Sequence, residues 1–284
     1  WLTIEGAAEN NLQDVTVNIP LGVLSGICGV SGSGKSTLCI DTIGRILSPL
    51  KHTTSVAQEE LSPGRHKRLI NAPENTIVID QTKAGVYSPV KFLGLQKVFE
   101  KIYGEMEETR IMGFPEDIFS KRCSLCRGKG YTTHDMSFLP DMHVPCTGCK
   151  GYGFMPEILD IVIRGNNLPG LLTRSVDEVY DIWKDVREVS KPLNALRTVG
   201  LGYLVLNQKS LSGGEAQRLK IAYQLAKKLK QKTALFILDE PTVGLHLSDI
   251  AGLINTLRGM VDKGHSVIVI EHHPMMLASC DYLI

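Results

Sequence analysis

The stretch Gly29-Val-Ser-Gly-Ser-Gly34-Lys35-Ser36-Thr37 constrains this chain more than any other. The spacing GxxxxGK[ST] requires a strand in front of a tight glycine loop and a helix behind it, whose N-terminus completes an anion cradle. Both are legible: Val23 to Cys28 is an apolar run, and a helical stretch begins after Gly34. Backbone N–H groups around Gly29, Ser31, Gly32 and Gly34 can turn onto phosphate oxygens. Lys35 adds a mobile positive charge on the outer phosphates, and the hydroxyl of Ser36, with Thr37 beside it, can ligate Mg²⁺. The motif implies a nucleoside triphosphate.

Three further runs, Thr76 to Asp80, Ala234 to Asp239 and Ser266 to Ile270, are rich in Val, Ile and Leu and show little polar alternation. That is the pattern of parallel strands covered on both faces. One of them ends in adjacent carboxylates: Asp239 is placed to hold Mg²⁺, and Glu240 to orient and deprotonate an attacking water. Alone, two acids at a strand end read better as solvated side chains. Upstream, Leu211-Ser212-Gly213-Gly214-Glu215 opens an amphipathic helix with Leu219, Ala222, Ala226 and Leu229 on one face. Ser212 and the N–H groups of Gly213 and Gly214 form a second anion cradle at its N-terminus. Two cradles far apart in one chain are unusual for an ordinary phosphate-loop enzyme.

Between these ends lies a different kind of sequence. Cys123-x2-Cys126 and Cys146-x2-Cys149 are two knuckles at the separation of a four-cysteine zinc ribbon. Four thiolates complete a tetrahedron, so a zinc ion there would be structural, a single site with no open position. His134 and His143 lie between the knuckles and could also serve as ligands, although the four cysteines do not need them. Residues 119–154 carry five Lys or Arg against two Asp. The segment from Ser48 to Asn75 reads as a loop or small irregular insertion, and no internal repeat is evident.

The 284 residues carry 31 basic and 30 acidic side chains, a net charge of +1, which excludes any whole-chain electrostatic case for nucleic-acid binding; a basic surface must be local. No apolar run approaches the ~20 residues of a membrane-spanning helix. Seven cysteines, an odd number, without a secretory leader point to a reducing, cytoplasmic compartment. The chain starts at Trp1 and stops inside a strand-like run (Asp281 to Ile284), so it reads as a piece of a longer protein.

The order LSGGEAQR (Leu211–Arg218), ILDEPT (Ile237–Thr242) and Ile270-Glu271-His272 resembles that of ABC-type ATPases. The resemblance implies an α/β phosphate-loop fold: a mixed sheet core with helices, an inserted helical signature subdomain and a zinc module. It places the core at 1–85 and 206–284, truncated at the end, and the insertion at 86–205 with zinc at 119–154. It also implies that Gln81 is a Q-loop glutamine near Mg²⁺ and the water, and that His272 is a switch histidine at the γ-phosphate. Pro241 to His246 is then a dimer-interface loop, and Lys35 and Glu240 serve catalysis.

The wider text resembles the carboxy-terminal ATPase half of UvrA proteins: Trp1–Leu12, Phe138–Cys146, Val199–Tyr203 and Asp239–His246. That resemblance implies ATP, Mg²⁺ and Zn²⁺ as cofactors and damaged double-stranded DNA as ligand. A UvrB-like protein, the other ATPase half and a second copy are the implied partners, with no membrane. Lys121, Arg122, Arg127, Lys129 and Lys150 are the candidate phosphate contacts. The chain departs from the family at Gly85–Lys91, which lacks two arginines, at Gly151-Tyr-Gly-Phe154, and at His273, where asparagine is usual. These departures leave open a UvrA paralogue that clears DNA-binding drugs. A transporter ATPase subunit is a third reading, and it predicts no zinc.

Overall fold

A computed structural model describes the chain except residues 49–61, 81–87, 114–117, 137–138 and 228–232, and except the side chains of 134–136 and 139–141. Gln81 and Leu229 therefore lie outside the described residues. The strands in chain order are β1 (Leu2–Ala7), β2 (Val15–Ile19), β3 (Leu24–Ile27), β4 (Arg68–Ile70), β5 (Thr76–Ile79), β6 (Tyr131–Met136), β7 (Leu139–Pro145), β8 (Val162–Ile163), β9 (Asn166–Asn167), β10 (Leu235–Asp239), β11 (Ser266–Ile270) and β12 (Tyr282–Leu283).

The chain forms two compact units. The first comprises Trp1–Gly85, Thr198–Leu201 and Leu211–Ile284; the second comprises Val86–Arg197 and Gly202–Ser210. In the first unit, β12-β3-β11-β10-β5 form one parallel sheet, and β2-β1-β4 a separate antiparallel one. The mixed β content is thus divided between two sheets. Part of the expected loop at 48–75 is a strand: β4 pairs with β1, with Arg68 opposite Glu5 and bonded to it. Three residues are too few for a periodic signal, so its pairing comes from the neighbouring strand.

Leu2, Ile4, Ile19, Ile27, Ile43, Leu235, Ile237, Ile268 and Ile270 are buried in one shared core between the sheets and the helix that follows the glycine loop. Each such side chain contributes roughly 1.5–3 kcal/mol by leaving water. That helix opens as a wide π-type segment, Thr37–Gly44, with the Thr42 hydroxyl donating to the Thr37 carbonyl at 2.8 Å. Such segments recur beside functional sites.

The second unit is mainly helical. Leu95, Phe99 and Tyr103 recur at helical spacing in Leu95–Gly104 and are fully buried. Phe99 packs edge-on against Trp183, and the Tyr103 hydroxyl donates to the Asn166 carbonyl at 2.9 Å. The helix Val176–Trp183 starts with a reciprocal cap, in which Ser175 Oγ accepts from Glu178 N–H and Glu178 accepts from Ser175 N–H. No helix among the described residues is long and apolar enough to cross a membrane.

Ser175→Ala removes half of that cap and should lower stability by about 1 kcal/mol. Thermal unfolding checks it: a lower midpoint with unchanged nucleotide affinity is expected, and an unchanged midpoint contradicts the assignment.

Candidate functional site: a phosphate cradle, a thiol knot and a basic cavity

Three motifs meet at one end of the parallel sheet. β3 runs into the glycine loop, β10 ends at Asp239 and β11 at Ile270, and these strands are neighbours in the order β3-β11-β10. Ile270 is in register with Ile27 on one side and Asp239 on the other, so the loops that follow leave the sheet at one level. Ligands of open α/β sheets bind outside the carboxyl ends of such strands. There, Asn10, Asn11, Ser31, Gly32, Gly34, Lys35, Ser36, Thr37, Glu240 and His272 line a cavity of about 220 Å³.

Lys35 folds back within the loop, donating to the carbonyls of Gly29 at 2.9 Å and Val30 at 2.8 Å. Ser36 Oγ donates to Asp239 Oδ1 at 3.5 Å, so hydroxyl and carboxylate, the two expected Mg²⁺ ligands, stand together. Burial, and then the neighbouring Glu240 charge, raise the Asp239 pKa. A cation at Asp239 would relieve both effects. Glu240 Oε1 lies 3.1 Å from His272 Nε2. Glu240 itself has φ 46°, a left-handed backbone that is strained for a residue with a side chain. Gly34 is at φ 96°, and a Cβ there would come within 2.7 Å of Leu12, so the loop depends on glycine at that position.

The sequence reading missed four neighbours of this site. The Asn11 side-chain amide donates to the Gly32 carbonyl at 2.8 Å, and the Asn10 amide to Thr37 Oγ1 at 3.3 Å. Gln217, fully buried, donates to the Asp239 carbonyl at 2.5 Å and the Ile79 carbonyl at 3.4 Å. Lys220 pairs with Asp80 at 2.9 Å. Gln217 and Lys220 fix the helix Gly213–Ala226 to the ends of β5 and β10. Their positions inside an amphipathic helix carried no signal by themselves.

Ser212 caps that helix: its Oγ accepts from Glu215 N–H at 3.2 Å, and Glu215 Oε2 accepts from Ser212 N–H at 2.7 Å. Ser212 is exposed, and none of Ser212, Gly213 and Gly214 lines the Lys35 cavity. The two cradles are therefore separate half-sites on one chain.

In the second unit, the sulfurs of Cys123, Cys126, Cys146 and Cys149 lie within 4.8 Å of one another and are buried. Cys123 and Cys146 Sγ are 3.9 Å apart, Cys126 and Cys149 Sγ 3.6 Å. A tetrahedron of thiolates at the usual zinc distance has sulfurs about 3.8 Å apart. The Gly130 N–H donates to Cys126 Sγ at 3.2 Å and the Gly153 N–H to Cys149 Sγ at 3.1 Å, a pattern that stabilises thiolate. The donor set fits zinc. His143 instead packs against Tyr131, with centroids 4.3 Å apart and the rings tilted by 53°.

The fold also reveals a short repeat that the sequence reading did not find. Cys-x2-Cys-Arg127-Gly128-x-Gly130 and Cys-x2-Cys-Lys150-Gly151-x-Gly153 have matching backbones, with φ near +52°, +83° and +83° in the first and +51°, +88° and +77° in the second. The packing is reciprocal: a Cβ on Gly130 would lie 2.4 Å from the Gly151 carbonyl, and one on Gly153 2.6 Å from the Gly128 carbonyl. Eight residues per copy and two differing spacers conceal it from a periodicity search.

Beside the knuckles, a cavity of about 630 Å³ is lined by Arg122, Arg127, Lys129, Lys91 and Lys209, together with Tyr152 and Phe154. Arg122 stacks over Phe154 at 4.5 Å, and burial lowers its pKa. No carboxylate among the described residues pairs with these five cations. Lys121 and Lys150, grouped with them in the sequence reading, do not line the cavity. Lys91 and Lys209 do, and only the fold brings them near the knuckles.

The family model described as ABC transporter matches residues 12–243. The chain belongs to the ABC family of ATPases. Over its whole length this ABC ATPase is similar to UvrABC system protein A: 38% identical to that of Micrococcus luteus over all of this chain and 29% of the relative, and 36% identical to that of Bacillus subtilis over all of this chain and 30% of the relative. Among solved structures it resembles UvrA2 from Deinococcus radiodurans, with TM-score 0.82 and 34% identity over all of this chain and 35% of that one. A dimeric bacterial ABC transporter cassette, at TM-score 0.50 and 15% identity over all of this chain and 93% of that one, shares the fold. The chain thus spans about a third of the length of these UvrA relatives.

Gly130→Ala forces both a left-handed alanine and a clash with the Gly151 carbonyl, whereas a Cβ at Gly148 meets the Leu125 side chain at 3.3 Å and Cys123 Sγ at 3.8 Å, an ordinary van der Waals contact. Zinc affinity in a chelator competition should fall at least tenfold for Gly130→Ala and change little for Gly148→Ala. Equal affinities in the two variants contradict the reciprocal packing.

Proposed function

We propose that this chain is one ATP-driven half of a UvrA-like DNA-damage-recognition protein of nucleotide excision repair. The observation that carries the chemical part is the convergence of Lys35, Ser36, Glu240 and His272 on one cavity at the ends of adjacent parallel strands. In this reading Lys35 and the loop N–H groups bind the β- and γ-phosphates. Glu240 takes the proton of the attacking water, and His272, within hydrogen-bond reach of Glu240, contacts the γ-phosphate. Mg²⁺, held by Ser36 and Asp239, would neutralise charge developing between the outer phosphates. Gln81, the remaining candidate for Mg²⁺ and the water, belongs to the same reading through the resemblance alone.

Ser212, Gly213 and Gly214 would close over the nucleotide of a second ATPase half, either another copy or the rest of the parent protein. The glycine loop exposes Val30, and the Pro241–His246 loop with its following helix exposes Val243 and Leu247, apolar groups suited to such a contact. ATP would hold the halves together, and hydrolysis would release them.

DNA binding is assigned to the basic cavity beside the thiol knot. Lysines and arginines without acidic partners suit phosphodiester oxygens, and contacts of that kind read duplex shape rather than sequence. Zinc at the four cysteines would hold Arg127 and Lys129 in place. Handing the damaged site to a UvrB-like protein completes the proposed cycle. Loss of both arginines at Gly85–Lys91 favours a second reading, a paralogue that clears DNA-bound drugs. Damaged-duplex preference with UvrB-like loading supports repair; equal affinity for damaged and intact duplex, with DNA-stimulated turnover, supports the paralogue.

Glu240→Gln should lower ATP turnover at least a hundredfold while ATP still binds, and Lys35→Ala should abolish binding. Turnover unaffected by either substitution sinks the assignment. Replacing Arg127 and Lys129 together with alanine should weaken duplex binding and reduce the slope of log affinity against log salt by about 2. An unchanged slope places the DNA elsewhere.

A further inference from the structure

A buried carboxylate joins the two loops that carry Glu240 and His272. Glu271 follows β11 directly and is 2% exposed. Its Oε1 accepts from the Thr242 backbone N–H at 2.9 Å and the Thr242 hydroxyl at 2.5 Å. Its Oε2 accepts from the backbone N–H groups of His272 at 2.8 Å and His273 at 3.1 Å. The Glu271 N–H donates to the Ile27 carbonyl at 3.1 Å, at the end of the strand that enters the glycine loop. No cation among the described residues pairs with this carboxylate.

Burying a carboxylate without a cation is costly unless its lone pairs are filled, and an apolar side chain of similar volume would pack the space at lower cost. Here all four donors belong to just two loops, so the arrangement sets how one loop sits against the other. Glu240 needs such a restraint. Its left-handed backbone, φ 46°, persists only where the surroundings over-determine it, and Thr242, two residues on, is the anchor. On the other side, the backbone of His272 is held directly. The separation of Glu240 Oε1 and His272 Nε2, 3.1 Å, thus depends on the Thr242–Glu271–His272 bonds.

We propose that Glu271 is a positioning residue for ATP hydrolysis: it touches no substrate, but it fixes the distance between the water-activating Glu240 and His272. It also ties the Pro241–His246 loop to His272, so that a shift of this loop on contact with a second ATPase half becomes a shift of the histidine. This role rests on the ATPase reading above and adds a residue to it.

The test uses Glu271→Gln in the full chain, at concentrations that allow two copies to pair. Glutamine keeps the volume, but its amide N–H₂ cannot accept the donors on one side. Turnover number should fall at least tenfold, while KM for ATP and the affinity for a fluorescent ATP analogue change less than threefold. A His272→Ala background should make the same substitution nearly silent, within twofold. Thr242→Val deletes only the hydroxyl donor and should cost about threefold in turnover with KM kept. Thr242→Val also decides the matter if the glutamine variant does not fold.

Wild-type turnover in Glu271→Gln or in a folded Thr242→Val overturns the role. So does a tenfold rise in KM with turnover kept, or a full multiplicative loss in the His272→Ala background. If the unsubstituted chain, supplied with a second ATPase half, binds ATP but never turns it over, the ATPase reading fails, and this role with it. That outcome is separable from failure of the role alone.

Discussion

The registration of three neighbouring parallel strands is what the nucleotide site depends on. Each rung β3-β11-β10 is fixed by backbone hydrogen bonds and by apolar side chains buried on both faces, so no strand can slip without exposing a row of Ile, Leu or Val. Because the strands are parallel and in register, their ends coincide. Lys35, far upstream in the chain, meets Glu240 and His272 as a consequence of that rung. The local hydrogen bonds, Ser36 to Asp239 and Glu240 to His272, then refine positions that the sheet has already imposed.

The zinc-type module obeys different physics. Within its knuckles the buried apolar groups are the four cysteines themselves, so hydrophobic burial contributes little there. Metal binding of this kind can supply ~10–16 kcal/mol of apparent folding energy, enough to order a module with almost no core. The reciprocal approach of Gly130 to the Gly151 carbonyl and of Gly153 to the Gly128 carbonyl shows how close the two knuckles must come. Only backbone fits between them. Such a rigid knot displays Arg127 and Lys129 from a fixed frame, which a flexible basic loop would not.

Much of this was legible in the chain before the fold was known. Short runs without polar alternation marked four of the parallel strands, and β12 lies within the run noted at Asp281–Ile284. The Cys-x2-Cys spacing marked the thiol cluster that the fold assembles. What escaped has a common cause: it depends on pairings between distant segments. β4 is three residues long and acquires its conformation from β1. Lys91 and Lys209 look like ordinary surface lysines until the second unit folds them beside Arg122. Glu271 stands inside a motif, yet nothing in Ile-Glu-His distinguishes a solvated acid from one that receives four hydrogen bonds. Burial and partner count made that distinction.

The geometry of Ser212 bears on how two ATPase halves would cooperate in the proposed cycle. Its Oγ accepts from the Glu215 N–H, which leaves the hydroxyl proton to donate outward. The helix beyond it keeps unpaired N–H groups in its first turn, at Gly213 and Gly214, with the positive end of the helix dipole behind them. A Cβ at Gly214 would meet the Val243 carbonyl at 2.7 Å, so this cradle is packed tightly against the loop that follows Glu240. The site is therefore built for an anion and lies away from the Lys35 cavity of its own chain. In the proposed cycle, a triphosphate contacted here would be held by another half. In that cycle, docking there would press on Val243, one residue from the Thr242 that Glu271 holds, so closure of the second cradle and alignment of Glu240 with His272 would become parts of one mechanical event. Coupling of this kind would make hydrolysis conditional on association, through contacts that are already short in the single chain.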